Sequence, residues 1–364
     1  MRILVVNAGS SSLKLSVLEP GDRLAVSEEL PAQQGEFGPD AVAAALDRVG
    51  ASSADAVGHR VVHGGRQFTQ PVRIDADVRR ALDELTDRAP LHPHKARAGI
   101  DAVGEALPGL PAVACFDTAF HAGMPAAAAT YALPAEWRER WAIRRYGFHG
   151  LSHAYATHRV TELLGHVPAR LIVCHLGSGA SLAAVRDGRS VDTTMGFTPL
   201  EGLVMGTRAG TVDPGLVLWL IEHGKIAPDE LADVLDKRSG LAGLAGTPDM
   251  RQVLARASQG DAGAELALAA YLHRLRGLIG AMAAALGGLD TLVFTGGVGE
   301  NSAEIRAQAA AGLGFLGVAL DEQRNAAARG DTDITAPGAV VRGFVVAARE
   351  DIEIARQVRE VLRR

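Results

Sequence analysis

ILVVNAGSSSLKLSVL (Ile3–Leu18) and LIVCHLGSGASLAAV (Leu171–Val185) share one pattern, in which an apolar strand, a tight Gly/Ser loop and a second strand follow each other. Small residues in such a loop let backbone N–H groups approach a phosphate closely, and β-branched residues before the loop suit a buried strand. Because the pattern opens both halves of the chain, it predicts a duplicated nucleotide-binding core with a cleft between the halves. Neither loop has the P-loop spacing or the GxGxxG fingerprint, which argues against a Walker-type ATPase and a dinucleotide-dependent dehydrogenase.

The composition narrows the class of protein. A chain of 364 residues exceeds what one hydrophobic core usually spans, so two domains are expected. The net charge of −5 offers no basic surface for nucleic acid, and no apolar stretch is long enough to span a bilayer. Cys115 and Cys174 each end an apolar run, which is typical of buried thiols in a reducing compartment. We therefore expect a soluble, cytoplasmic protein that binds neither nucleic acid nor membrane.

Strand-like and helix-like segments alternate in both halves, which predicts an α/β fold. The predicted domains are residues 1–150 and residues 151–349. An amphipathic helix at residues 350–364 is expected to pack back on the first domain.

Two charged residues lie at predicted strand ends. Arg60, in GHRVVHGG, falls in a strand-like run, where a buried guanidinium is costly unless it meets an anion. That anion is either a ligand or a core carboxylate, and the segment alone leaves both open. Asp117, in CFDTAFH, follows an apolar strand at a position suited to metal or proton chemistry. For an isolated Asp-Thr pair, however, capping of the next helix is the favoured interpretation.

Three further segments carry candidate functional residues. In RRYGFHGLSH, His149 and His153 have i,i+4 spacing, but the sequence is not HExxH, so a zinc site is disfavoured. The glycine-punctuated loop MGFTPLEGLVMGTRAG delivers Arg208 between small residues, where it can reach a ligand. In FTGGVGENS a strand ends in a diglycine and Ser302 caps the next helix, which suits a ribose or phosphate. The nearest approach to a serine-hydrolase motif, GASLA, lacks the final glycine and the strand-to-helix elbow.

The segments NAGSSSLK, GHRVVHGG, FDTAFH, RRYGFHG, VDTTMGFTPLEGLVMGTRAG and FTGGVGEN resemble, in order, the motif series of the acetate kinase family. The resemblance covers nearly the whole chain. It implies the acetate and sugar kinase/Hsp70/actin (ribonuclease H-like) fold, with two related domains flanking an ATP cleft. It also implies a homodimer, dependence on Mg²⁺ (with Mn²⁺ as an alternative), and reversible transfer of the ATP γ-phosphate to acetate, giving acetyl phosphate and ADP.

The resemblance further implies a role for each matching residue. The implied catalytic residues are Asp117, His149, Arg208 and Arg60, of which Arg60 also binds the substrate carboxylate. The implied acyl-binding residues are Val62, Leu91, His92, Phe148 and Pro199. The implied metal-linked residues are Asn7 and Glu350. The implied ATP-binding residues are Ser10, Ser12, Lys14, His175, Leu176, Gly177, Ser178, Gly179, Asp249, Met250, Arg251, Gly297, Val298, Gly299, Glu300 and Asn301.

The chain also departs from the family pattern at the nucleotide loop, where Ser178 replaces the usual asparagine. Two alternative functions remain at this stage. A propionate-preferring acyl kinase would share every motif, because only the volume of the acyl pocket separates the two. A non-transferring ATPase of the Hsp70/actin type is disfavoured, since it has no need of a carboxylate-binding arginine such as Arg60.

Overall fold

The structure is a computed structural model that describes residues 1–9, 12–31, 38–88 and 94–363. It divides into two compact units. Unit 1 comprises Met1–Gly123, Phe148–Tyr155 and Arg349–Arg364, and unit 2 comprises Met124–Gly147 and Ala156–Ala348. The last helix therefore belongs to the same unit as the first strand.

Unit 1 is built on a mixed sheet. Its described strands are β1 (Ile3–Ala8), β2 (Ser12–Leu18), β3 (Leu24–Pro31), β4 (Ala56–Val61), β5 (Val72–Arg73) and β6 (Ala112–Phe116). They lie in the order β3-β2-β1-β4-β6-β5. Strands β1, β4 and β6 run parallel, while β2, β3 and β5 are antiparallel to their neighbours. Because the three parallel strands share a direction, their carboxyl ends meet at one edge of the sheet.

Unit 2 repeats this topology. Its described strands are β7 (Arg170–Leu176), β8 (Ala180–Arg186), β9 (Arg189–Thr193), β10 (Thr291–Thr295), β11 (Thr332–Asp333) and β12 (Arg342–Val345). Their order is β9-β8-β7-β10-β12-β11, with β7, β10 and β12 parallel and the other three antiparallel. Position by position, this is the order and the pairing sense of unit 1. The duplicated α/β core predicted from the two strand–loop–strand segments is therefore confirmed.

The described helices connect and cover the strands. They are α1 (Pro39–Arg48), α2 (Ala76–Arg88), α3 (His94–Ala106), α4 (Ala126–Ala129), α5 (Ala135–Arg140), α6 (Gly150–Leu164), α7 (Pro214–Glu222), α8 (Pro228–Lys237), α9 (Gly240–Ala245), α10 (Met250–Ala257), α11 (Ala262–Leu286), α12 (Gly296–Asn301), α13 (Ala303–Ala311), α14 (Glu322–Ala327) and α15 (Glu350–Arg363). No helix among the described residues has both the length and the apolar character needed to cross a membrane.

Both faces of the unit 1 sheet are buried, as the run of apolar residues in β1 requires. Leu4 and Val6 point into the cluster that contains α1, while Ile3 and Val5 point into the cluster that contains α15. This alternation is the two-residue period of a strand. Helix α15 lies very close to β4, since a Cβ on Gly58 would come within 2.4 Å of Ile354 Cγ2.

The described elements differ from the sequence expectation mainly at their ends. The sequence pattern predicts a helix over residues 152–164 with Ser152 as its N-cap, whereas α6 begins at Gly150, because the His153 N–H donates to the His149 carbonyl and closes the first turn. The strand-like pattern of residues 338–347 predicts one strand, whereas the strand is confined to β12 and Gly338 adopts a left-handed turn with φ of 79°. The predicted cap is confirmed, since Ser302 Oγ accepts from the Ile305 N–H at the start of α13.

Candidate active site

Charged side chains of unit 1 meet at the shared edge of the three parallel strands. Asn7 is near the end of β1, Arg60 is near the end of β4, and Asp117 directly follows β6. Glu350, the first residue of α15, reaches the same place because α15 packs across β1, β4 and β6. We call these four residues the charged cluster.

Arg60 is the centre of the charged cluster. Its Nε donates to Asp117 Oδ1 and Oδ2 at 3.2 and 3.1 Å, and its Nη2 donates to Asp117 Oδ2 at 2.6 Å. Its Nη1 donates to Asn7 Oδ1 at 3.1 Å, and Asn7 Nδ2 in turn donates to Glu350 Oε2 at 3.1 Å. The Asp117 side chain is fully buried and the Arg60 side chain is 15% exposed. The sequence left an ion pair and a ligand contact open for Arg60, and the structure shows the ion pair.

The ion pair does not use all the donors of Arg60. A guanidinium carries five N–H groups, of which Arg60 commits one on each of its three nitrogens. Among the described residues, one N–H on each Nη atom has no acceptor, and two such N–H groups would suit the two oxygens of a small carboxylate. The structure therefore accommodates both interpretations of Arg60 at once. Asp117 is an ion-pair partner, and the favoured alternative of a simple helix cap is wrong, since its carboxylate binds Arg60.

Burial and charge act together on the pKa values of the charged cluster. Burial opposes the charged form of Arg60, but the carboxylates of Asp117 and Glu350 outweigh it and hold the Arg60 pKa above its ordinary value. Burial also raises the pKa of Glu350, an effect that Arg60 opposes and Asp117 reinforces. Two carboxylates that share one guanidinium leave an excess of negative charge in a buried site, which favours a cation.

The GFHG segment lies against the charged cluster through Gly150. The Gly150 N–H donates to the Asp117 carbonyl at 2.8 Å, and a Cβ on Gly150 would lie 2.1 Å from that oxygen. Only glycine allows so close an approach. His149 adopts a left-handed backbone conformation with φ of 56°, which is strained for a residue with a side chain. Strain of this kind concentrates at functional sites.

Phe148 is in the apolar part of unit 1. Its side chain is buried, its ring packs edge-on against His63 with centroids 5.7 Å apart, and its carbonyl contacts His121 Nε2 at 3.1 Å. Burial lowers the pKa of His63 and of His121 to about 4, so both rings are neutral at physiological pH. Val62, next to His63, is half-buried. These neutral rings and apolar side chains suit the methyl group of a small acid.

Glycine loops of unit 2 form a second candidate site. A Cβ on Gly177 would lie 4.0 Å from the Gly297 nitrogen, and one on Gly206 would lie 3.3 Å from the Ser178 carbonyl. The Gly206 N–H donates to that same carbonyl at 2.9 Å. The HLGSG, MGTRAG and GGVGEN segments therefore converge at the carboxyl ends of β7 and β10. Backbone N–H groups packed this closely are typical of phosphate-binding loops.

The remaining ATP-binding candidates of unit 2 differ in exposure. His175 is half-buried at the end of β7, beside Thr295 of β10, while Ser178 is exposed and Gly179 is half-buried. Asp249 caps α10 and pairs with the exposed Arg251 at 2.7 Å. Leu176 and Met250 are buried core residues, so they contribute backbone and packing. Val298 is half-buried and Gly299 is buried within α12, while Gly297 and Asn301 are exposed at its surface.

The Glu300 carboxylate is committed to the backbone. Its Oε1 accepts from the Gly296 N–H at 3.1 Å and from the Ala348 N–H at 2.9 Å. It thereby ties the turn after β10 to the chain that follows β12. Glu300 therefore supports the shape of the GGVGEN loop, which is a structural role.

The other candidates on β2 and in the acyl pocket are placed as follows. Ser12 Oγ donates to Glu29 Oε1 at 2.5 Å, and Lys14 is exposed on β2 opposite Asn7. Pro199 is buried in unit 2. Ser10, Leu91 and His92 lie outside the described residues.

Several side chains that support the site had no signal in the sequence. Arg145 donates to the Thr194 and Met195 carbonyls and to Glu201 Oε1 at 2.7 Å, and Tyr131 donates to the other oxygen of Glu201. These contacts hold the start of the loop that carries Pro199 and Arg208. Long-range partners of this kind follow no spacing rule, since Tyr131 and Glu201 are 70 positions apart in the sequence.

Arg306 supports the GGVGEN loop from within the core. Its side chain is 1% exposed, and its Nη1 donates to the Gly299 and Glu300 carbonyls at 2.8 Å each. Asn325 accepts from its Nε and Nη2 at 2.7 Å each. Arg306 follows the GGVGEN segment closely in the sequence, which is the one signal that could link it to this loop. Nothing in the sequence indicates that its side chain is buried.

Comparison with known proteins agrees with this arrangement. The sequence model of the Acetokinase family matches residues 40–356. The chain is 45% identical to an acetate kinase of a Synechococcus strain, over all of this chain and 99% of the relative. It is 47% identical to the acetate kinase of Leifsonia xyli, over 98% of this chain and 97% of the relative. A crystal structure of Porphyromonas gingivalis acetate kinase superimposes with a TM-score of 0.90 at 36% identity and 99% coverage of both chains. A crystal structure of a propionate kinase from Francisella tularensis superimposes with a TM-score of 0.91 at 36% identity and 98% coverage of both chains.

The family model covers most of the chain, and the matches to the Synechococcus relative and the Porphyromonas gingivalis structure extend over nearly all of it. They confirm the two-domain α/β fold and the resemblance inferred from the motifs. The chain is a member of the acetokinase family.

Proposed function

We propose that this chain is an acetate kinase, which transfers the γ-phosphate of ATP reversibly to acetate and gives acetyl phosphate and ADP. The observation that carries the proposal is Arg60, a buried guanidinium that keeps one N–H on each Nη atom after binding Asp117 and Asn7. Two such N–H groups suit the two oxygens of one carboxylate. Membership of the acetokinase family supports the same reaction.

In this proposal each end of acetate meets a different chemistry. Arg60 binds the carboxylate, and the apolar side chains of Val62 and Phe148 receive the methyl group, with Pro199, Leu91 and His92 as further candidates. The charge of Arg60 is secure at every physiological pH, because its pKa lies above the ordinary value. Acetate needs no base, since its carboxylate is ionised at neutral pH. Asp117 therefore acts by holding Arg60 and by contributing negative charge for a cation.

The glycine loops of unit 2 receive ATP in this proposal. The N–H groups of Gly177 and Gly206 already donate to the Gly179 and Ser178 carbonyls, so other backbone N–H groups of these loops and of the GGVGEN segment would bind the phosphate oxygens. Asp249 and Asn301 lie in neighbouring segments. Arg208 and His149 would stabilise the transferring phosphoryl group, whose transition state needs cations beside its equatorial oxygens. That Arg208 and Arg60 meet at one phosphoryl group stays a prediction, because the two residues lie in different units.

A divalent cation fits the charged cluster. Asn7, Asp117 and Glu350 offer hard oxygen ligands. Burial raises the pKa of the Glu350 carboxyl, and the nearby Asp117 carboxylate reinforces this rise, so a bound cation would favour the charged form of Glu350. No group of three or more acidic, histidine or cysteine side chains in the described ranges is placed to hold a metal ion by itself. Mg²⁺ usually binds through one or two carboxylates together with substrate phosphates and water, so in this proposal the ATP phosphates would supply further ligands. When bound, the ion would neutralise charge on the ATP phosphates.

The experiment that tests this function is the hydroxamate assay with purified protein, ATP, Mg²⁺ and hydroxylamine, run with acetate, propionate and butyrate. Acetyl hydroxamate should form at the highest kcat/KM. ATP hydrolysis without hydroxamate would identify a non-transferring ATPase of the Hsp70/actin type. A preference for propionate would establish the second candidate, which the fold of the Francisella propionate kinase supports.

Val62→Ala extends that assay to the acyl pocket. The variant should shift the ratio of kcat/KM toward propionate or butyrate, since a methylene in an apolar pocket is worth about 1–3 kcal/mol. An unchanged ratio would exclude Val62 from the pocket. Ala112 lies at the amino end of the neighbouring strand β6, opposite Val57 and away from the carboxyl end where Val62 lies, so Ala112→Gly gives a control that should leave the ratio unchanged.

We also propose that the chain forms a homodimer through α7. This helix has the sequence PGLVLWLIE and buries none of its residues, and Leu216, Leu218 and Trp219 are 47%, 59% and 54% exposed. An apolar helix left open in this way marks an interaction surface. Sedimentation of the wild type should give twice the chain mass, and Trp219→Glu should give the single mass. A wild-type monomer would refute the proposal.

A further inference from the structure

We propose that Asp236 is the positioning residue for Arg208, an inference that rests on the proposed phosphoryl transfer. Arg208 Nε donates to Asp236 Oδ1 at 2.8 Å, and the two side chains are only 18% and 16% exposed. Asp236 is near the end of α8, 28 residues after Arg208. No motif in the sequence marks it.

The backbone around the pair is fixed from both sides. Thr207 Oγ1 donates to the Asp236 carbonyl at 2.8 Å, and the Ala209 N–H donates to the Leu235 carbonyl at 3.2 Å. The residues before and after Arg208 are thus each attached to the last turn of α8. This attachment limits the positions that the Arg208 side chain can reach.

Gly240 brings the start of α9 against the same loop. Its φ is +59°, and a Cβ there would lie 2.2 Å from the Met205 carbonyl and 2.6 Å from the Arg208 carbonyl. The Leu241 N–H donates to the Met205 carbonyl at 2.9 Å. The segment from Met205 to Ala209 is therefore clamped between the end of α8 and the start of α9.

The choice of donor atom matters for the chemistry. Because Asp236 takes only Nε, both Nη atoms of Arg208 keep their N–H groups, and among the described residues they have no hydrogen-bond partner. Two Nη atoms in one plane can bind two oxygens of a phosphoryl group. A guanidinium held at Nε is pre-oriented, so little reorganisation is needed when charge develops in the transition state.

This arrangement differs from that of Arg60. The Arg60 guanidinium gives bonds from all three nitrogens to Asp117 and Asn7, whereas the Arg208 guanidinium gives a bond from one. Arg208 is thus held in place through Nε, while its two Nη atoms stay available to bind a ligand. Asp236 supplies the anchor and does not itself touch a substrate.

Helix α8 also offers a matched control. Asp233 lies on the same helix, three residues before Asp236, and pairs with Lys237 at 2.9 Å and Arg238 at 3.1 Å. Its side chain is 41% exposed and its partners are more exposed still. Asp233→Ala therefore removes the same kind of side chain and an ion pair of α8 without touching Arg208.

The experiment measures kcat and the KM values for ATP and acetate in the full-length wild type, Asp236→Ala, Asp236→Asn, Asp233→Ala, Arg208→Ala and the double variant Arg208→Ala/Asp236→Ala. Asp236→Ala should lower kcat by about 10–100-fold, as is usual for residues that orient a functional side chain. The KM values should change much less. Asp236→Asn keeps an acceptor oxygen for Nε and should recover part of kcat. Asp233→Ala should match the wild type.

The double variant separates positioning from a structural role. If Asp236 acts through Arg208, removing Asp236 from the Arg208→Ala variant should lower kcat no further. An equal further loss in that background, or a kcat for both Asp236 variants equal to that of Asp233→Ala, overturns the inference. Asp236→Asn has nearly the same shape as the wild type and decides the question if Asp236→Ala does not fold. A wild type that makes no acetyl hydroxamate overturns the proposed function instead, so the two failures are distinct.

Discussion

The buried ion pair of Arg60 and Asp117 gives the sharpest test of the charged cluster. Asp117→Ala removes a fully buried carboxylate that accepts from Nε and Nη2 of Arg60. The arginine cannot lose its proton, so the variant leaves a buried charge with poorer compensation. The nearest other carboxylate is Glu350, whose Oε2 lies 4.0 Å from Arg60 Nε.

The magnitude follows from this geometry. Breaking a buried ion pair by removing one partner costs about 3–5 kcal/mol, and the remaining attraction to Glu350 places Asp117→Ala near the lower end, at about 3 kcal/mol. For a unit of this size each kcal/mol lowers the melting temperature by about 2–4 °C, so the expected fall is roughly 6–12 °C. Asp290→Ala is the matched control. It removes the surface ion pair with Arg170, whose side chains are 34% and 42% exposed, and should cost about 0–1 kcal/mol.

Differential scanning calorimetry of both variants, with urea unfolding followed by circular dichroism, measures these differences. The double variant Arg60→Met/Asp117→Leu should melt above Asp117→Ala, because no guanidinium is then buried without Asp117. Glu350 also loses Arg60 in this variant, but burial already raises the pKa of its carboxyl, which can become neutral by taking up a proton. Equal melting temperatures for Asp117→Ala and Asp290→Ala would refute the reasoning. A double variant that melts below Asp117→Ala would show that Arg60 is not the group left uncompensated.

Three further outcomes follow from the structure. Burial, together with the nearby Arg79, lowers the His59 pKa from 6.5 to about 3. Between pH 7 and pH 5 the ring therefore takes up a proton only in the unfolded chain, so the folded protein loses stability as the pH falls. His59→Leu removes this effect and should reduce the fall in melting temperature over that range, and an unchanged dependence on pH would contradict the prediction. His149→Gly should raise the free energy of unfolding by about 1 kcal/mol by relieving the left-handed backbone, while kcat falls sharply. A loss of stability would show that the interactions of the His149 side chain outweigh the backbone strain. Gly150→Ala should destabilise unit 1 by more than about 2 kcal/mol, because the added Cβ would clash with the Asp117 carbonyl oxygen. Gly104→Ala is the control: its Cβ meets open space on α3, and alanine favours the helix, so this variant should be slightly more stable than the wild type. Similar melting temperatures for the two variants would count against the close approach at Gly150.

The fold class was predictable because the strands and loops indicated by local sequence patterns are the ones that pair in the two sheets. The strand–loop–strand segments at Ile3–Leu18 and Leu171–Val185 form the β1–β2 and β7–β8 hairpins as expected. Element ends were less predictable, since they depend on tertiary hydrogen bonds. Helix α6 is an example, because the bond from Gly150 to the Asp117 carbonyl joins residues 33 positions apart.

The site divides in the same way. Arg60 and Arg208 stood out in the sequence as arginines in glycine-framed segments, whereas Asp117 and His149 were proposed for the site by the resemblance to the acetate kinase family. Their partners could not be chosen. The structure gives Arg208 its carboxylate from Asp236 on another element, and it assigns the Glu300 side chain to two backbone N–H groups.

The sequence by itself determined the class of fold, the duplication, and which segments contain candidate functional residues. Apolar periodicity and glycine positions specify strands, helices and tight loops through interactions between residues that are close in the sequence, so they can be recognised before the chain folds. Only the tertiary structure decided which charges compensate each other. Asn7, Arg60, Asp117 and Glu350 are spread over 343 positions, and parallel strands with α15 packed across them bring them within hydrogen-bonding or ion-pair distance. Electrostatic energy depends on distance and burial in space, and a linear sequence specifies neither until the chain has folded.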